Sequence, residues 1–197
     1  MVSDGPSRED EVEHRKELYA HMGAAMSRAA DLEVGLIHAL LALDFLSTSA
    51  ENIKQVGLKN FDRSKWERDF DAFFEKHQRL SMGELINSFA KFASNEPQLA
   101  EKLKAVLKVR NFLMHHFFRE HAASILSWAG RDKMIAELMQ AQSGMQEALD
   151  GVEIYVAPTR KRLRFDEEGI RRHTEACLVA AQAGDTMPEF VTGRPQT

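Results

Sequence analysis

The sequence predicts an all-α fold, an antiparallel bundle of four to five helices with an extra helix at the C-terminal end. Three observations lead there. Helix formers such as Ala, Leu, Glu, Lys and Met dominate beside Phe, whereas strand formers are scarce, with two Tyr and two Trp in 197 residues. Turn signals are few, at eleven Gly and five Pro. Apolar residues recur at spacings of three and four over long stretches, the period of a helix with one buried face. The length suits one core, so residues 9–183 are expected to form one helical domain between a flexible start, 1–8, and a flexible tail, 184–197.

Taken in order, the first helix is expected from about Glu9 to Leu46, with Leu18, Met22, Met26, Ala29, Leu32, Leu36, Ile37, Leu40 and Leu43 as its inner stripe. Ser47 to Phe61 mixes Ser, Thr, Asn and Gly without a period and reads as a connection. A second helix is expected from Ser64, where Ser64-Lys65-Trp66-Glu67 fits a capping box, to about His77, burying Trp66, Phe70, Phe73 and Phe74. A second capping box, Ser81-Met82-Gly83-Glu84, opens a short helix carrying Leu85, Ile86, Phe89 and Phe92. Pro97 suits the first turn of the next helix, which is expected to run to about Ala123. From Arg131 a further helix is marked by Ile135, Leu138, Met145, Leu149, Val152 and Val156, ended or kinked at Pro158. A hairpin over 152–165 is the alternative there, because Val-Glu-Ile-Tyr-Val and Arg-Leu-Arg-Phe alternate. The last helix is expected over Asp166 to Ala183.

Charge and cysteine content narrow the function classes. With 26 basic and 30 acidic side chains the formal charge is −4, so no global field recruits nucleic acid and any such contact must be local. The single cysteine, Cys177, forms no intrachain disulfide and reads as a small core residue among Ala and Leu. The first residues lack the apolar run of a signal peptide, and no stretch has the length of a membrane span. A soluble, cytoplasmic protein without membrane partners is expected.

Chemistry concentrates in residues 106–121. At helical spacing Leu99, Leu103, Val106, Leu113 and Phe117 fall within roughly 40° of a common direction, and Arg110 falls among them. A guanidinium at a core position demands an anion, either a carboxylate or a phosphate. Glu33, close to the stripe of the first helix, is the carboxylate candidate, with a place at the solvated edge of that stripe as its other reading. Asn111 and His115 are four apart and share a face roughly 100° to 140° from Arg110, while His116 points to the other flank. A permanent cation, an amide and a group that titrates near neutrality suit a phosphodiester. The imidazole takes the proton of a ribose 2'-hydroxyl or protonates the leaving 5'-oxygen, and the guanidinium binds phosphate charge.

At these residues the sequence resembles the HEPN domain, a family named for higher eukaryote and prokaryote nucleotide-binding proteins. Its signature is an arginine, a polar residue after it, and a histidine a few residues beyond; Arg110, Asn111 and His115 supply it with four intervening residues, and His116 with five. The segment opened by Ser81-Met82-Gly83-Glu84-Leu85-Ile86 is similar to one often seen upstream. The resemblance implies a HEPN-like bundle that dimerises and brings two motifs into one cleft. It further implies metal-independent endoribonuclease activity leaving 2',3'-cyclic phosphate ends, with no cofactor. Arg110 then stabilises phosphate charge, His115 is the acid or base, Asn111 orients the site and His116 is the alternative histidine. Expected settings are a toxin and antitoxin pair, phage defence or RNA processing, with an antitoxin or nucleotidyltransferase as partner of the homodimer. The long first helix and the residues after Pro158 exceed a minimal domain of this type.

Other readings compete. Many HEPN members only bind nucleotides or partners, so a non-catalytic interaction module of the same fold is the alternative function, and a helical regulator or scaffold is a third. No metal site is expected: His115, His116, Glu120 and His121 cluster in sequence, but the one Glu-x-x-His match is Glu11 with His14 in the polar start. The basic run Arg160, Lys161, Arg162 and Arg164, followed by Arg171 and Arg172, is the candidate RNA-tracking element, or else a solvated helix flank.

Overall fold

Ser7 starts the first helix. Its hydroxyl accepts from the Asp10 backbone N–H at 3.2 Å and the Asp10 carboxylate accepts from the Ser7 N–H at 2.9 Å, a reciprocal box that satisfies two amides the helix leaves unpaired. In the computed structural model residues 7–164 and 167–184 are described, and all their regular elements are helical. Residues 1–6 of the expected flexible start and the tail from 185 lie outside the described residues.

Helix α1 (Arg8–Leu40) buries Leu18, Leu32, Leu36 and Leu40. It passes without a break into one wide π-helical turn (Leu41–Leu46) and then into α2 (Ser47–Val56), which Gly57 ends at a φ of +79°. The connection expected at Ser47 to Phe61 is thereby corrected. The Ser47 hydroxyl donates to the Ala42 carbonyl at 2.8 Å, so it bonds within the helical run instead of ending it. The other polar residues of α2 occupy a helix with no fully buried position, which erases the apolar period.

Helix α3 (Arg63–Gln78) is capped by Asp62, which accepts from the Lys65 N–H at 2.9 Å. The box expected at Ser64 does not form, because Ser64 already lies inside the helix. Helix α4 (Met82–Phe92) carries the box expected at Ser81: Ser81 N–H donates to Glu84 Oε2 at 2.7 Å and the Ser81 hydroxyl accepts from the Glu84 N–H at 3.4 Å. Pro97 stands at the first turn of α5 (Pro97–His115). This helix stops short of the expected Ala123, since His116 adopts a φ of −129°, and a single separate turn, α6 (Phe117–Glu120), follows.

Helix α7 (Trp128–Arg162) runs on through Pro158. Of the two outcomes expected at Pro158 this overturns the end of the helix, and it also overturns the hairpin over 152–165, as far as its residues are described. Proline leaves the carbonyl of Ile154 without its helical donor, but Pro158 and Ile154 are exposed, where water serves instead. Arg164 leaves the helix in the left-handed region at a φ of 54°, a conformation that stops helical propagation. Helix α8 (Glu167–Ala183) follows and Gly184 ends it at a φ of +74°.

Contacts divide the chain into a unit ending at Thr159 and another beginning at Arg160. In the first unit the core joins Leu36 and Leu40 of α1, Phe89 of α4, Leu103 of α5, Phe117 of α6, and Met134, Leu138 and Val152 of α7. Pairing fixes the helix directions. Glu11 meets Arg131 and His21 meets Gln142, so α1 and α7 run the same way; Leu99 lies against Gly151, Lys102 meets Glu147 and His121, just past α6, faces Glu137, so the chain through α5 runs counter to α7 and hence to α1.

Candidate functional site

Helix α5 holds Arg110 by burying its neighbours: Leu103, Val106 and Leu113 are inside, and Phe117 follows in α6. The guanidinium sits on that stripe at 29% exposure, and Glu33 of α1, at 32%, meets it with Oε1 3.3 Å from Nη2. The carboxylate expected from helical position is therefore the one in place. Arg110 Nη1 also donates to the Asn111 side-chain oxygen at 3.3 Å, so the structure brings these two motif residues together.

Asn111 and His115 are exposed on the same flank of α5. His115 is the last helical residue, and its ring centre lies 6.3 Å from that of His116. His116 stands outside the helix, so its wheel position does not apply. Arg119 of α6 donates from Nη2 to His116 Nδ1 at 2.5 Å. A neutral His116 ring therefore carries its proton on Nε2. The motif thus presents two accessible imidazoles at a helix end, one of them already held by an arginine. His121, half-buried, has Nε2 2.9 Å from Glu137 Oε2, out of line for a hydrogen bond.

The basic run lies in the second unit. Arg160, Lys161 and Arg162 form the last turn of α7, and Lys161, Arg162 and Arg164 are exposed. Arg172 pairs with Glu168 at 3.7 Å. The side chain of Arg171 lies outside the described residues. Among the described residues no group of three His, Cys, Asp or Glu side chains is gathered to hold a metal ion. Glu11 and His14, the one Glu-x-x-His match, turn instead to Arg131.

Sequence reasoning misses this second arginine site. Arg131 of α7 is fully buried: Nη2 bonds Glu11 at 2.5 Å, Nη1 the Ile125 carbonyl at 3.1 Å, and Nε donates to His14 Nδ1 at 3.2 Å. His14 Nε2 then reaches Asp132 at 2.9 Å while its ring stacks on Trp128 at 3.9 Å. Accepting on Nδ1 and facing a carboxylate with Nε2 specifies the Nε2–H form of a neutral ring. A signal for the site exists in the sequence: Arg131 precedes Ile135 and Leu138 at helical spacing, the same anomaly that marks Arg110.

No family model, curated protein or solved structure matches this chain. Among the described residues no helix is long and apolar enough to cross a membrane.

Proposed function

We propose that the chain is a HEPN-like, metal-independent endoribonuclease that works as a homodimer in a toxin and antitoxin or phage-defence setting. The observation that carries the reading is the end of α5, where Arg110 contacts Asn111 and His115 closes the helix in solvent. In the proposed reaction His115 takes the proton of a ribose 2'-hydroxyl and the 2'-oxygen attacks phosphorus. The 5'-oxygen departs with a proton from an imidazole, its partner's or His116, leaving a 2',3'-cyclic phosphate. Arg110 donates N–H groups to the charge that builds on the phosphoryl oxygens, and Asn111 orients the guanidinium. Every proton and charge is handled by side chains, so the chemistry calls for no metal. The basic run from Arg160 to Arg164 is proposed to track the RNA backbone.

One observation favours a second reading, a non-catalytic interaction module. The Glu33 carboxylate already gives Arg110 an anion, which satisfies a purely structural arginine. Cleavage assays separate the two. The nuclease reading expects RNA cleavage that persists in EDTA, leaves cyclic phosphate ends, and falls at least about 100-fold in Arg110→Ala and His115→Ala variants with unchanged circular dichroism. No cleavage by the wild type, or equal cleavage by the variants, overturns it in favour of the module.

A further inference from the structure

A cleft of about 450 Å³ opens beside the π turn, between α2 and the start of α3, and no part of the nuclease reading uses it. Its wall is aromatic. Phe45 of the π turn lies 5.6 Å from Trp66 and 5.5 Å from Phe73, and Phe61 joins them, while Thr48, Ser49, Asn52 and Asn60 are neutral polar members of the same lining. The indole N–H of Trp66 donates to Ser49 at 3.0 Å and the ring stacks on Phe70 at 5.3 Å, which fixes its orientation. With its donor engaged, Trp66 offers the cleft π-surface and not a hydrogen bond.

The rim has the opposite character. Asp44, Asp62 and Asp69 line it against one cation, Lys65, which Asp69 holds at 2.5 Å. Three carboxylates against one ammonium leave the rim negative. The carboxylates come from separate places, the π turn, the α3 cap and the second turn of α3, and they line the same cleft as the aromatic rings. The wide turn at Leu41–Leu46 is itself unusual, since π-helical turns are rare inside α-helices and concentrate at functional sites. Here it supplies both Asp44 and Phe45 to the cleft.

We propose that this cleft binds a small organic ammonium ion with an apolar body. Aromatic faces attract cations through their quadrupole, and carboxylates at the rim complete the charge match. An anion meets repulsion from the rim, and a neutral apolar molecule gains nothing from it. The volume falls in the range of small-molecule sites. The proposal stands apart from the nuclease reading and survives its failure.

Choline is the probe, and dimethylbutanol, in which carbon replaces the charged nitrogen, is its neutral isostere. Titrations of the full-length protein follow the two indole N–H signals by nitrogen-labelled NMR, with Trp66 assigned by a Trp66→Phe variant. The expected result is a saturable shift of the Trp66 signal with choline, and binding of the isostere weaker by roughly ten-fold. Asp44→Asn combined with Asp62→Asn is expected to weaken choline by a similar factor at low salt, while α3 keeps its start because asparagine caps a helix as well as aspartate does. No saturable shift, equal binding of the isostere, or full affinity in the charge-neutral variant overturns the proposal.

Discussion

Arg110 and Arg131 occupy the same kind of position, an arginine on the apolar stripe of a helix, and the fold treats them differently. Arg131 is fully buried with Glu11, His14 and the Ile125 carbonyl as partners, whereas Arg110 keeps 29% of its side chain in solvent beside Glu33. Truncating the buried one strands its partners: Arg131→Ala is expected to cost about 3 kcal/mol in urea unfolding, because Glu11 and His14 lose their common donor. The half-buried pair keeps about a third of each side chain in water, which screens it, so Glu33→Gln is expected to change stability by less than about 1 kcal/mol in the same measurement. A loss as large at Glu33 as at Arg131 contradicts this account and makes Arg110 a structural arginine. Wheel arithmetic on one helix was enough to flag Arg110 and to nominate Glu33. It does not reach the Arg131 site, whose partners lie 117 and 120 positions away in sequence, so that only the pairing of α1 with α7 brings them together.

Helix boundaries were legible where a local side-chain bond decides them and illegible where a neighbour does. The Ser81 box is local. Its backbone N–H first, and then its hydroxyl, hold the Glu84 carboxyl below its ordinary value of 4.5. A carboxyl depressed in the folded state contributes stability that is fully present above the unfolded value and is lost as pH falls through the lower folded value. Ser81→Ala removes the hydroxyl and keeps the backbone N–H, so it is expected to lower stability near neutral pH and to flatten only in part the decline of stability below about pH 4.5 in a series of urea titrations. An unchanged acid limb shows that the hydroxyl does not hold Glu84 and leaves the backbone N–H as its sole partner at Ser81. By contrast, the sequence puts the start of α3 at Ser64, while the structure caps it at Asp62, a residue type that caps equally well. Asp62 is the one in extended conformation, with φ −81° and ψ 94°, and that geometry is not written in residue type. Helix α2 hid for a related reason, because its polar composition reads as a connection until Ser47 is seen bonding back to Ala42.

At the scale of the molecule, the all-α class was readable because composition and period agree along the whole chain. Helix directions were not, since they follow from which long helices touch. Helices α1 and α7 approach closely at Gly35, where an added Cβ would stand inside van der Waals contact of Leu149 Cδ1. Helical glycine is otherwise a liability of roughly 1 kcal/mol relative to alanine, so its presence at a buried site marks space that a methyl group cannot share. Two opposing terms follow for Gly35→Ala: improved helix propensity, and a clash that Leu149 relieves by leaving its preferred rotamer. With Leu149 intact the clash is expected to dominate, and Gly35→Ala destabilises by about 1 kcal/mol. With Leu149→Ala the obstruction is gone, and the same glycine substitution is expected to stabilise by up to about 1 kcal/mol. A double-mutant cycle in urea thus changes the sign of the Gly35 effect, giving a coupling between the two sites of about 1 to 2 kcal/mol. Additive effects show instead that Leu149, whose far end is the atom in the way, moves aside without cost.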